Sequence, residues 1–295
     1  MTITSTLAEI NRTTVDQAEL SSFVSENQHY GVAFNLFRET AGCVCILAST
    51  TVGPEPTWNI GQAVLGGHLV RMFKLMKFVM EESIERRDEM LSVLVRLLAE
   101  CVINLRYLIR NNSTELIHSY LAYSLRHEKD LADLIRKNVL DRNGIELPIE
   151  VRMLRSIQRT FDKSLFPEES LPQKKLRNWG DKNLFEKAKD VDLGDAYLAI
   201  FGGPSRNVHG GWHDLLQYHL ECESPGVFKP NLEFNRPRPQ AVYSLTHLIS
   251  ETLLGYTELL GHPSLEPVHD RITDIAGRNQ LASDSHERYL VAKAG

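Results

Sequence analysis

What this chain has little of narrows the field first. It carries only four cysteines in 295 residues, Cys43, Cys45, Cys101 and Cys222. Their spacing fits neither a disulfide framework nor a zinc site, so they read as ordinary thiols. There is no basic surplus: 33 Lys and Arg stand against 38 Asp and Glu, a net charge of −5. That excludes a broadly basic nucleic-acid binder, while a local patch remains free to hold RNA. No Gly-rich dinucleotide motif, P-loop or βαβ succession occurs. Internal repeats, sustained heptads and low-complexity tracts are also missing. The opening residues, MTITSTLAEINRTT, lack the basic start and apolar run of a signal peptide. The longest apolar stretches carry charges or glycines, which predicts no membrane span. The expectation is a soluble cytoplasmic protein with no membrane partner, no cofactor and no metal.

What is present is helical periodicity. At 42% hydrophobic and 24% charged, a chain of this length can bury a large core. Residues 1–56 read as an N-terminal arm with helices packing on the bundle; 30–49 is ambiguous between strand and buried helix. Residues 57–263 read as the main bundle. Apolar residues recur at three and four from Ile60 to Met80, where Gly66-Gly67 predicts a close helix crossing or a kink. A second helix over 89–110 is apolar around most of its circumference, as in a helix surrounded by others. Further helices are predicted over 114–140, 149–161, 193–201, 214–220 and 240–260, with a surface connection over 166–189 holding a short helix near 183–189. Residues 264–295 read as a peripheral C-terminal helix. The fold class is therefore all-α: a mostly antiparallel multi-helix bundle in one compact domain, with a small hairpin or loop near 221–239.

The stretch from Tyr197 to His219 concentrates the chemistry. Gly202, Gly203 and Pro204 interrupt a helix; Ser205, Arg206, Asn207, His209 and His213 then follow within nine positions. On the apolar 89–110 helix, Arg96 and Glu100 stand one turn apart, and Tyr107 continues the stripe. Burying either charge alone is costly, so pairing is expected. Ser205 and His209 share a face if a helix starts at Ser205. Two arrangements follow. Arg96, Glu100, Tyr107, Ser205, Asn207 and His209 form one polar network, either fixing helix packing or opening as a pocket for a small anionic ligand. Alternatively His209 is a base oriented by Glu100 beside Ser205, a small hydrolase with amides of Gly210 and Gly211 as oxyanion donors.

Two resemblances attach to these residues. Arg96-Leu-Leu-Ala-Glu100 with Ile103, Leu105, Tyr107 and Leu108, followed by Tyr197 and Ser205-Arg-Asn-Val-His209-Gly210, resembles a widespread bacterial helical family, the domain of unknown function numbered 5677. The resemblance spans roughly residues 60–220. It implies a helical fold and one polar cluster of Arg96, Glu100, Ser205 and His209, with no settled activity. Arg206-Asn207, followed by His213 after six intervening residues, resembles the R-x(4–6)-H signature of the HEPN ribonucleases. That resemblance implies metal-independent RNA cleavage at a homodimer cleft, with Arg206 holding the phosphate and His213, or His209, moving the proton. The reading carried forward is an uncharacterised bacterial helical protein with a polar pocket, a noncatalytic binding or interaction module. The endoribonuclease and the hydrolase are its alternatives, and stress or phage defence is the imaginable setting.

Overall fold

Helix starts follow local chemistry in this computed structural model, which describes residues 3–51, 57–172 and 176–294, with the side chains of Arg206 and Asn207 outside the description. Two short helices, α1 (Ile3–Ala8) and α2 (Gln17–Ser21), lead into α3 (Glu26–Ser49). Ser25 and Gln28 form a reciprocal capping box that begins α3, and the stretch that was ambiguous from residue 30 is helical to its end. Asn59 and Gln62 open α4 (Ile60–Ile84) in the same way. The Gly66-Gly67 pair neither kinks α4 nor admits a crossing helix. A Cβ at Gly66 would come within 2.6 Å of the Trp58 ring, so the glycine makes room for that indole. Next come α5 (Asp88–Arg110), α6 (Thr114–Asp141) and α7 (Pro148–Ser164). Pro148 stands in the first turn of α7, where a missing N–H is harmless.

Residues 166–219 differ most from expectation. The connection is not a surface one: Phe166, Leu171 and Trp179 are buried. Among the described residues from 166 to 202, only α8 (Leu184–Asp190), capped by Asn183 and Glu186, is a regular helix of more than one turn. The helix expected over 193–201 is a turn followed by a π-helical turn, Leu198–Gly202. Pro204 has no N–H to give the Ile200 carbonyl; the Gly203 N–H reaches Leu198 O instead, widening the turn. Short helices α9 (Gly203–Val208) and α10 (Trp212–Asp214) follow, then a second π-turn, Leu215–His219, where a helix over 214–220 was expected. The hairpin over 221–239 is real but small: β1 (Leu220–Ser224) pairs antiparallel with β2 (Val227–Pro230).

α11 (Pro239–Leu260) and α12 (Glu266–Ala294) close the chain. α12, expected at the periphery because it is polar, packs along α11 and α3 and buries Val268, Ile272 and Ile275 in the main core. Its polarity is internal. Glu39 of α3, with no exposed side-chain surface, accepts from Arg271 Nε at 2.6 Å, Arg278 Nη1 and Nη2 at 2.9 Å and the Thr13 amide at 2.8 Å. Arg278 also holds Asp274, which takes Arg12 in turn. The result is a single compact, mostly helical bundle whose main core lies among α3, α4, α5, α11 and α12. A smaller apolar cluster joins α6, α7 and residues 166–171. Among the described residues α3 alone is long and apolar enough to cross a membrane, contrary to the reading of its glycines and charges; here most of that apolar window is buried within the bundle.

Burial alone would raise the Glu39 pKa, but Arg278, the Thr13 amide and Arg271 outweigh it and hold the carboxylate below its usual range. Arg12 and Arg278 hold Asp274 at about 2. Both depressed carboxylates stabilise the fold above their unfolded pKa of about 4, and that contribution is lost as pH falls through their lowered values, about 2 for Asp274. Replacing Glu39 by Ala leaves two guanidinium groups without their shared buried carboxylate. Denaturant unfolding at pH 7 should show a loss of about 3–5 kcal/mol, together with a flatter acid limb. A loss under about 1 kcal/mol would remove this cluster from the account of how α12 is held.

Candidate functional site

Three groups of residues meet along α5. The first is the polar stripe. Arg96 and Glu100 are half-buried and make no ion pair with each other among the described residues. Arg96 instead lies over the Phe201 ring, Cζ 4.9 Å from its centroid, with Nε buried and unpartnered. Asn104, one turn beyond Glu100, has a buried side-chain oxygen without a partner. Tyr107 is buried, and its hydroxyl reaches Gly180 O at 3.5 Å. Gly180 sits at φ 61°, where a Cβ would press within 2.8 Å of Leu116 and 3.2 Å of Tyr107, so the Trp179 loop closes only with glycine there.

The stripe holds a residue that sequence reasoning missed. Lys187 of α8 is 3% exposed, its Nζ 3.3 Å from the centroid of Trp179 and 5.7 Å from that of Tyr107. Burial pushes its pKa down to about 7, with the Glu100 carboxylate pulling upward. The negative field of the indole face acts in the same sense as Glu100. Lys187 lies in LFEKAKD, an unremarkable charged helix; only the four-residue spacing of Leu184 and Ala188 marked its inward face. Arg106 of α5 is half-buried as well. It donates from Nε to Thr252 Oγ1 at 2.9 Å and from Nη2 to Leu248 O at 2.8 Å, tying α5 to α11.

The second group lines a groove of about 400 Å³, formed by Tyr197, Phe201, Gly202, Ser205, His209 and Gly211. Ser205 and His209 thus share one concavity. Glu100 reaches the Tyr197 hydroxyl electrostatically, raising its pKa behind the larger effect of burial. No hydrogen bond or ion pair among the described residues joins Glu100, Ser205 and His209. The side chains of Arg206 and Asn207 lie outside the described residues.

The third group lies behind the same segment. Ala199, Ile200, Gly203 and Pro204 face a cavity of about 430 Å³ between α5, α11 and the second π-turn. Its walls include Leu91, Val95, Leu245 and Leu248. One end is polar: Tyr218 donates to the buried Asp88 carboxylate at 3.0 Å, and Gln240 Oε1 is buried with no donor. Burial raises the Asp88 pKa, against the Tyr218 hydroxyl and Arg238, which lower it. His213 and Arg238, both exposed, border this cavity. Residues 197–213 therefore divide two concavities, with Ser205 and His209 on one side and His213 on the other. No group of three or more metal-ligating side chains occurs among the described residues.

With this geometry in place, the comparison with known families is decisive at one level. The model of a family of unknown function (DUF5677) matches residues 62–227, more than half of the chain. The chain belongs to this family. The matched region contains α5, Lys187, the groove and most of the cavity wall; DUF5677 membership leaves α3, α11 and α12 outside the match. No curated protein and no solved structure matches the chain.

Lys187 gives a signed test. Its folded pKa of about 7 lies below the unfolded value of about 10.4, so between them the unfolded chain binds more protons. Stability should rise as pH goes from 7 to 10, and the whole penalty is present below 7. Lys187→Met should be more stable than the parent at pH 7 and should lose that rise in urea unfolding. An unchanged pH profile would show that Lys187 reaches water.

Proposed function

We propose that this chain is a binding module that takes a small amphipathic anion in the cavity between α5, α11 and residues 199–218. The observation that carries the reading is the cavity's polarity. Apolar walls from Leu91, Val95, Ile200, Leu245 and Leu248 meet a buried, unpartnered acceptor at Gln240, while His213 and Arg238 stand exposed at the border. An apolar body within such walls, a donor toward Gln240 and an anionic end beside Arg238 would satisfy each feature. Arg238 makes no ion pair with a described carboxylate at contact distance, so its guanidinium is available to an incoming anion.

The endoribonuclease alternative rests on His213, which is exposed beside a concavity, as a proton-transferring imidazole must be. The hydrolase alternative has less support, since no relay runs from Glu100 to His209. A homodimer belongs with the nuclease reading; a bacterial setting in stress or phage defence follows from the family resemblance, and a cytoplasmic location is a separate expectation from the sequence.

Fluorescence titration with 1-anilinonaphthalene-8-sulfonate, an apolar body with one anionic group, tests the binding reading. Saturable one-site binding is expected. Ala241→Trp, which fills the cavity, should abolish it, and Arg238→Ala should weaken it by about tenfold. Binding that is unaffected by both variants would overturn the assignment. Incubation with RNA in EDTA should leave the RNA intact; cleavage lost in His213→Ala would replace the binding reading with the nuclease.

A further inference from the structure

A third concavity shares no lining residue with the two beside residues 197–213. It measures about 350 Å³ and is bounded by α4, α6 and the C-terminal end of α7. From α4 it receives Val64, Gly67, His68 and Arg71, from α6 Tyr120, and from α7 Lys163 and Ser164. Among the described residues no acidic side chain lines it. Arg71 and Lys163 are exposed, and neither has an ion pair among the described residues. Three further polar side chains border the same space: the Ser164 and Tyr120 hydroxyls and the His68 imidazole.

His68 is the informative one. It is 9% exposed, its Nδ1 turned toward Cys101 Sγ at 3.8 Å and its ring edge-on to Tyr120. Its Nε2, on the side of the ring away from Cys101, is buried with no partner. A buried polar atom without a partner is costly, and a ligand would remove that cost. Burial, with Arg71 acting in the same direction, holds the ring neutral down to about pH 4. At neutral pH His68 thus offers a hydrogen bond rather than a charge. The field of Arg71 also lowers the Tyr120 hydroxyl pKa against burial, which places the guanidinium beside both groups.

Gly67 is a second, independent sign. It lies in the middle of α4, where glycine costs about 0.5–1 kcal/mol relative to alanine. Nothing stands within 4 Å of the position its Cβ would take. Packing against the protein therefore does not require this glycine, yet it borders the cavity and keeps that space open.

We infer that this cavity is a binding site for a small phosphate monoester, with the phosphate between Arg71 and Lys163 and an apolar body against Ile60, Ala63, Val64 and Leu121. Two unpaired cations and no lining carboxylate match a group that carries about −1.5 to −2 charges at neutral pH. Arg71 supplies a planar fork for two phosphate oxygens, and Lys163 a compact second charge. The Tyr120 hydroxyl adds a donor, while the Ser164 hydroxyl is engaged with the Thr160 carbonyl at 2.7 Å. A carboxylate, with one charge, would leave one cation unmatched. The site shares no lining residue with the cavity proposed above, so either can fail alone.

Isothermal titration of the full chain in phosphate-free buffer tests this with phenyl phosphate, inorganic phosphate and benzoate. Phenyl phosphate should bind saturably with a Kd below about 1 mM, inorganic phosphate more weakly for want of an apolar body, and benzoate weakest. Arg71→Ala and Lys163→Ala, both changes at exposed positions, should each weaken phenyl phosphate by about tenfold or more. Gly67→Leu should fill the space and abolish binding while the thermal midpoint holds or rises, which separates a blocked site from a misfolded one. No saturable binding of phenyl phosphate, or equal binding by the Arg71→Ala/Lys163→Ala double variant, would overturn the inference.

Discussion

One constraint shapes this molecule: α5 is too apolar to leave any side in water, yet it carries Arg96, Glu100, Asn104 and Arg106. α4 covers one side and α11 another. α11 takes up Arg106, but neither helix covers Arg96 and Glu100, where a helix laid flat would bury the charges unpaired. The chain covers it instead with irregular backbone. Trp179 and Lys187 lie against Tyr107, and Phe201 lies over Arg96. Rings are well suited to this, since an aromatic face is apolar and yet attracts a cation. The cover is thus a set of cation–ring contacts in place of the Arg96–Glu100 ion pair that spacing alone suggested.

That cover also makes the candidate site. Pro204, which has no N–H for the Ile200 carbonyl, follows the π-turn at Leu198–Gly202, and a π-turn offsets successive side chains from ordinary helical positions. Alternating residues of one short segment then face opposite concavities: Tyr197 and Phe201 the Ser205/His209 groove, Ala199 and Ile200 the cavity with Asp88 and His213. The family match across residues 62–227 includes both the covered helix and its cover. The buried Glu39 cluster lies outside the match and has a different task, fastening α12 and the N-terminal segment to α3.

How much of this could be read beforehand depended on whether local rules or long-range packing decided it. Regular helices were legible because apolar spacing and caps such as Asn59/Gln62 and Ser113 are local. The hairpin was legible from its turn residues. α12 was misjudged because its charges are paired inside the bundle, and pairing across more than 230 residues leaves no local trace. Lys187 was missed for the same reason: its ring cage comes from residues 107 and 179. The crowded stretch 197–219 was expected as two helices around a Gly-Pro break; instead the π-turn at Leu198–Gly202 runs directly into α9, and a second π-turn follows at Leu215–His219. Among the described residues no side-chain bond joins Arg96, Glu100, Ser205 and His209 into one cluster: Arg96 lies over Phe201, and Ser205 and His209 line the groove with Tyr197 and Phe201.

The central claim is that residues 176–219 act as a cover fastened to α5 by ring contacts, with the rest of the bundle standing independently. Hydrogen–deuterium exchange on Trp179→Ala measures this most directly, because local openings report separately from global unfolding. Amides of residues 96–108 and 184–219 should exchange faster, while those of α3 and α12 keep their protection. A uniform loss of protection across all helices, or no change at 96–108, would contradict the account.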